Sequence, residues 1–184
     1  MEVVRQILDK NGLSHVRIER IAGELTDHFD PRAQVIRLSD SVYGDSSVAS
    51  IGVAAHEAGH AVQHATGYVP IRLRNAVLPV ANFGSRLSVP LILLGLILSM
   101  QSLVEIGILL FSFVLLFQLI TLPVEFNASR RAIRTLDEGG ILAGAELTGA
   151  KKVLGAAAMT YVAAALTTAM QLLRLVLLSR RRDD

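Results

Sequence analysis

Hydrophobic and polar positions divide the chain into a mixed first third and a largely apolar remainder. Three runs stand out, at 79–100, 103–123 and 153–173. The first carries a single charge, Arg86, the second carries Glu105 at its start, and the third carries none. Each has about 20 residues, enough at about 1.5 Å per residue to cross a hydrocarbon core of about 30 Å. The very short break between the first two predicts a transmembrane hairpin. The third is rich in Ala, Gly and Thr, small residues that let membrane helices approach closely. A buried helix of a soluble bundle is the alternative for this third run, but three such runs exceed what a soluble fold of this size can bury.

The polar segments predict a small α+β head over residues 1–45. A short helix at 2–9 and a turn at Asn11-Gly12 precede two extended runs, 16–21 and 33–38, which are linked through Asp30-Pro31. The alternation in Val35-Ile36-Arg37-Leu38 fits a hairpin or small sheet. Asp45-Ser46-Ser47 is an N-cap cluster, after which Val48, Ile51, Ala55 and Val62 recur on one side of a helix that stops at Gly67, before Pro70. This active-site helix occupies 46–67. The hairpin then covers 79–123. A polar segment at 124–152 begins a new helix carrying Ala128, Ala132 and Ile133, followed by the Gly139-Gly140 break. A third membrane helix at 153–178 completes a single membrane-embedded domain over 1–184.

Composition agrees with membrane insertion: 52% of residues are apolar and 18% charged, against about 25% charged in an ordinary soluble domain. Mean hydropathy is +0.48. Eighteen Lys and Arg against sixteen Asp and Glu leave a net charge of +2, too little for a surface that grips nucleic acid. With no cysteine, disulfides, thiolate metal sites and thiol nucleophiles are excluded, so any metal must be held by His and carboxylate. Residues 1–10 show no apolar signal region, so no cleavable targeting peptide is expected.

The chemistry centres on His56-Glu57-Ala58-Gly59-His60. Two histidines four residues apart project from one helix face, about 6 Å apart along the axis, and can chelate one zinc ion. Glu57 lies beside that face, where its carboxylate can take a proton from water acidified by the metal. Gly59 lets another backbone approach. A catalytic zinc needs a third protein ligand. His64 is a further turn along and about 12 Å from His56, too far to share an ion with both His56 and His60, so it is assigned to second-sphere or substrate contact. Glu105 sits at the hairpin tip, across the bilayer from the histidines. Glu125 follows the second run, where the chain has returned to their side, and is the expected third ligand, with Asp137 in Leu-Asp-Glu-Gly as a secondary candidate.

Three strings carry a resemblance to a known family: His56-Glu57-Ala58-Gly59-His60-Ala61-Val62-Gln63-His64, Leu25-Thr26-Asp27-His28-Phe29-Asp30-Pro31, and Pro123-Val124-Glu125-Phe126-Asn127-Ala128-Ser129-Arg130-Arg131-Ala132. With Val80-Ala81-Asn82-Phe83-Gly84-Ser85 and Thr160-Tyr161-Val162-Ala163-Ala164, they resemble the YugP-like putative neutral zinc metallopeptidases over nearly the whole chain. The resemblance implies a bacterial membrane peptidase with one zinc per chain, held by His56, His60 and Glu125, and Glu57 as catalytic base. Such proteins usually begin with a further membrane helix, which is not among the runs seen here. A wider similarity links the chain to HtpX-like and prenyl-protein membrane proteases, whose ligand helix usually continues Glu-x-x-Ala-Asp. Here Ser129 stands at the Asp position, where it could orient a ligand histidine only weakly, leaving Asn127 or an upstream Asp as substitutes. The expected fold is a mainly α membrane protein with a zincin-like α+β head, a transmembrane helical hairpin and a third apolar helix.

Other residues carry smaller expectations. Asp27, His28 and Asp30 either line the cleft or form a self-capping Asp-Pro turn, and the turn is preferred. Arg130, Arg131 and Arg134 suit topology and anionic lipid better than an oxyanion. Tyr161 is either an oxyanion donor or an interfacial aromatic. An extended substrate is expected to add as a strand beside 33–38. The leading function is a gluzincin-type zinc endopeptidase acting on membrane-associated or misfolded polypeptides. The alternative is a non-catalytic membrane binding or assembly module that retains a metal site. Positive charges at Arg72, Arg74 and Arg86 before the hairpin, and at Arg130, Arg131, Arg134, Lys151 and Lys152 after it, predict an active site on the cytoplasmic side, against the opposing Arg180, Arg181 and Arg182; the family resemblance implies that the membrane is the bacterial inner membrane.

Overall fold

The computed structural model describes residues 2–180, with side chains over 2–179. The Arg180 side chain and Arg181, Arg182, Asp183 and Asp184 lie outside the described residues, so the C-terminal charges of the topology argument have no structural counterpart. The elements run α1 (Glu2–Lys10), β1 (Arg17–Ile21), β2 (His28–Asp30), β3 (Val35–Ser39), α2 (Asp40–Tyr43), α3 (Val48–Ala65), α4 (Val69–Ile97), α5 (Gln101–Glu138) and α6 (Gly144–Arg180). The protein is thus mostly helical with one small sheet. Its Cα atoms cluster into two compact units, one formed by the chain up to Val69 with Val124–Met159, the other by Pro70–Pro123 with the chain from Thr160 onward.

In the first unit, the sheet order is β1-β3-β2. β3 pairs in parallel with β1, Arg17 opposite Val35, and antiparallel with β2, Phe29 opposite Ile36. The two extended runs, expected to form a hairpin or small sheet, are parallel neighbours in a three-stranded sheet. The hairpin is instead β2-β3, turned at Asp30-Pro31, where Asp30 Oδ1 accepts from the backbone N–H groups of Arg32 and Ala33 at 2.9 and 3.1 Å. The short β2, hidden in the sequence inside what reads as a turn, occupies the second edge of β3. The expected strand addition beside 33–38 is thereby ruled out, because β3 already has a neighbour on each side.

The apolar residues of these elements meet in one core that includes Val4, Leu8, Val16, Ile36, Leu38, Ala55, Ala58, Ala132, Leu136 and Ala150. It fixes α3 against α1, the sheet and the ends of α5 and α6. The start of α3 is set by Ser47, whose hydroxyl accepts from Ser50 N–H. Asp45 in turn accepts from the hydroxyls of Ser47 and Ser50. Gly67, with φ +63°, ends the segment in the left-handed region that other residues rarely occupy.

α4 begins at Val69, about ten residues before the apolar run that marks it in the sequence, and from Pro70 onward it belongs to the second unit. Pro70 falls in its first turn, where a missing N–H costs nothing. Pro79 and Pro90 lie inside the helix. The link to α5 is a tight turn with Ser99 at φ +53° and a Met100 N–H to Gly95 C=O bond of 2.9 Å. A Cβ on Gly84 would come within 2.5 Å of the Leu110 carbonyl oxygen, so α4 and α5 touch backbone to backbone. Gln101 Nε2 donates to Ser179 Oγ at 2.7 Å, tying α5 to the far end of α6.

α5 does not break at Pro123. The sequence predicts a span ending there and a new helix after it, but one helix runs from Gln101 to Glu138. A proline inside a helix removes a single hydrogen bond and crowds one carbonyl, costs that tertiary packing can absorb. Val124, Glu125, Ala128, Ala132 and Leu136 are all buried along one face past the proline, and that face holds the helix together. α4, α5 and α6 are each long and apolar enough to cross a membrane.

Candidate metal centre

The centre lies wholly within the first unit, between α3 and the part of α5 that follows Pro123. His56 and His60 are one turn apart on α3, with their rings edge to face at 4.6 Å between centroids. Nε2 of each faces the same oxygen: Glu125 Oε2 is 3.2 Å from His56 Nε2 and 3.6 Å from His60 Nε2. One ligand atom from each residue falls within a 4.8 Å cluster, and Glu125 is buried.

Two helices can bring three side chains so close because Gly59 stands where they cross. A Cβ there would lie 2.7 Å from the carbonyl oxygen of Ala128. Ala55, Ala58 and Ala61 on α3 and Ala128 and Ala132 on α5 are all buried small residues that keep the two backbones near each other.

Each histidine is also held from behind. Ser129 Oγ is 3.1 Å from His56 Nδ1, and Gln63 Oε1 is 3.0 Å from His60 Nδ1. An acceptor at Nδ1 fixes the tautomer that leaves Nε2 free to ligate. Gln63 is fully buried and is itself fixed by its amide, which donates to Val124 C=O at 2.8 Å and to Asn127 Oδ1 at 3.0 Å. Asn127 accepts in turn from Arg131 Nε at 2.8 Å. Sequence reasoning missed Gln63. Its signal was a long polar side chain one turn after His60, on a stretch of α3 otherwise buried among Ala61 and Val62.

The donor set suits zinc. Two donors about 2.1 Å from a tetrahedral ion are about 3.4 Å apart, close to both Nε2 to Oε2 separations. Burial disfavours a charged His60, but its hydrogen bond to Glu125 and the negative charges of Glu57 and Glu125 outweigh that, so its pKa is raised above the ordinary value. The carboxylates that raise it would equally attract a metal cation.

The family described as putative neutral zinc metallopeptidase matches residues 1–180. The chain belongs to this family. The "Putative membrane protease YugP" of Bacillus subtilis (strain 168) is 49% identical over 177 residues, covering 96% of this chain and 79% of its own. No solved structure matches. Family membership, the relative named a membrane protease and the three apolar helices together support a membrane-associated protein.

The other residues singled out in the sequence divide between the centre and its surroundings. Glu57 is buried on α3 at 8% exposure. Asn127, Ser129 and Arg131 belong to the network just described, and the Arg131 guanidinium also stands 6.0 Å from the centre of the Tyr68 ring. His64 is exposed and meets Phe29 of β2 edge to face at 6.0 Å. His28 Nδ1 is 2.7 Å from the Thr26 carbonyl and its Nε2 is 3.4 Å from an Arg37 nitrogen, which ties it into the sheet. Asp27 accepts from the Ser39 N–H at 2.8 Å. Asp137 is exposed beyond the cluster on α5, and Glu105 is exposed in the second unit beside Gln101. Tyr161 also belongs to the second unit and is 41% exposed.

Proposed function

We propose that the chain is a zinc-dependent endopeptidase of the gluzincin type, with a zincin-like head and the whole of 1–184 acting as one metallopeptidase domain. The observation that carries this reading is the convergence of His56 Nε2, His60 Nε2 and a Glu125 oxygen, with both Nδ1 atoms held by other side chains. In this reading those three residues hold one zinc per chain. When bound, zinc polarises the scissile carbonyl and acidifies water. Glu57 then takes the proton of the attacking water and returns it to the leaving nitrogen, a general base followed by a general acid. Ser129 and Gln63 keep the imidazoles oriented throughout.

An extended substrate can add to β2, an edge strand of the sheet whose Phe29 reaches α3 through His64. Backbone pairing of this kind selects for extended chain rather than for particular side chains. Membrane-associated or misfolded polypeptides are therefore the proposed substrates, cut at the cytoplasmic face of the bacterial inner membrane.

The test is full-length protein in detergent with an unfolded model substrate. Wild type should bind about one zinc and cleave. Glu57→Gln should keep the zinc and lose turnover, while Glu125→Ala should lose both. Undiminished cleavage by Glu57→Gln would remove that carboxylate from the mechanism. Zinc binding without turnover in the wild type would favour a binding or assembly module that keeps only the metal site.

A further inference from the structure

A polar cavity lies in the first unit, apart from the metal ligands. It encloses about 420 Å³ between α1, α3 and α5, and none of His56, Glu57, His60 or Glu125 lines it. Its charged lining is strongly one-sided: Lys10 from α1 and Arg130, Arg131 and Arg134 from α5, against a single carboxylate, Glu138. Arg134 is already paired with Glu138 at 2.7 Å. Arg131 is anchored on a neutral amide oxygen, that of Asn127. Among the described residues no carboxylate forms a salt bridge with Lys10, Arg130 or Arg131, and the one acid in the lining, Glu138, is bonded to Arg134 and also feels the charge of Lys10, so four cations share a single counter-charge.

Like charges gathered from two separate helices repel one another, and an anion between them relieves that repulsion. Guanidinium forks match the oxygens of a phosphate. The arginines also follow the apolar run of α5 by about ten residues, the juxtamembrane position in which basic clusters meet anionic lipid headgroups. Apolar side chains of Ile7 and Val62 share the lining, as suits a ligand with a glycerol backbone behind its phosphate.

We propose that this cavity is a binding site for the phosphate headgroup of an anionic membrane phospholipid. A substrate acid group fits less well: Gly59, Asn127 and Arg131 of the lining adjoin the metal centre, but no metal ligand lines the cavity, and Lys10 and Arg130 lie outside that centre's network. The inference does not depend on peptidase activity.

Full-length protein in zwitterionic detergent can be titrated with phosphatidylglycerol or phosphatidylcholine and the bound lipid counted by native mass spectrometry. The variant is Lys10→Gln/Arg130→Gln, which removes two exposed charges outside the metal centre, with Arg72→Gln/Arg86→Gln as a charge-matched control. Wild type and control should retain phosphatidylglycerol in preference to phosphatidylcholine, and the variant should bind it roughly tenfold more weakly or worse, with wild-type circular dichroism. Equal binding by variant and wild type would overturn the site. Inorganic phosphate that displaces the lipid at equal concentration would show a site for the free anion and overturn the lipid assignment. So would an acidic peptide that binds in a Lys10- and Arg130-dependent way while phosphatidylglycerol does not.

Discussion

The carbonyl oxygen of Ala128 lies so near Gly59 that a Cβ on the glycine would stand 2.7 Å from it. This contact, between the helix carrying two candidate ligands and the helix carrying the third, sets the distance on which the cluster depends. Neither backbone can yield locally, because Ala55, Ala58 and Ala132 beside it are buried with almost no exposure. Gly59→Ala should therefore push α3 and α5 apart, separating His60 from Glu125. We expect a loss of about 1 to 3 kcal/mol in stability, as for other overpacked cores, and a larger proportional loss of zinc affinity. Thermal unfolding with and without zinc checks both, and an unchanged affinity would show that the crossing does not set the ligand spacing.

Gln63 makes a different prediction, since it touches the imidazole and not the cluster itself. Gln63→Leu removes the acceptor at His60 Nδ1 and the side-chain donors to the Val124 carbonyl and Asn127. Loss of such an outer contact costs about 10- to 100-fold in metal affinity in known zinc sites. Gln63→Glu keeps an oxygen near Nδ1 but loses the donor to Val124 and Asn127, so it should restore part of the zinc affinity while remaining less stable than wild type. Competition against a zinc chelator, read beside thermal unfolding, separates the two effects. Equal affinity in the leucine and glutamate variants would mean that Gln63 matters only for packing.

The contrast between Gly59 and Gln63 shows how far the sequence carries. Gly59 sits inside a spaced motif, so its role in a close approach could be read directly. The signals that bound α3 were equally legible, because Ser47 and Gly67 act through local backbone chemistry. Three apolar helices followed from length and hydropathy alone. Gln63 has no such signature: its partners Val124 and Asn127 are some sixty residues away, and only folding brings them near. Strand order was hidden for a related reason, since alternation marks a strand's faces but not its neighbours. The continuity of α5 through Pro123 depended on the buried face beyond the proline, which outweighs the local preference to stop.

Acid should weaken the start of α3. Hydrogen bonds from the Ser47 and Ser50 hydroxyls, then from the Ser47 N–H, hold the Asp45 carboxyl below its ordinary pKa of 3.8. A carboxylate depressed on folding contributes stability that is fully present above the unfolded value and is lost as pH falls through the folded one. Asp45→Asn should therefore melt below wild type at neutral pH, and the gap should narrow below about pH 4. Parallel melting curves at several pH values check this, and a gap independent of pH would assign the effect to geometry and not to charge.

Topology is tested by charge. Arg72, Arg74 and Arg86 precede the turn between α4 and α5, and Arg130, Arg131, Arg134, Lys151 and Lys152 follow α5's apolar run, whereas residues 99–105 carry no basic side chain. Positive charge near span ends favours the cytoplasm, so the turn should face outward and the metal centre inward. Arg180, Arg181 and Arg182 pull the other way if α6 makes a third crossing, but eight charges outweigh three, and Asp183 and Asp184 count little in this rule. The chain has no cysteine of its own, so Ser102→Cys and Ser47→Cys can each be labelled on intact cells with a membrane-impermeant thiol reagent. Ser102 lies in the first turn of α5 and is exposed, as is Ser47 at the cap of α3. We expect label at position 102 alone, with position 47 reached only after the cells are opened. Label at 47 on intact cells would reverse the orientation, and label at neither position would place the turn within reach of the cytoplasm or the bilayer.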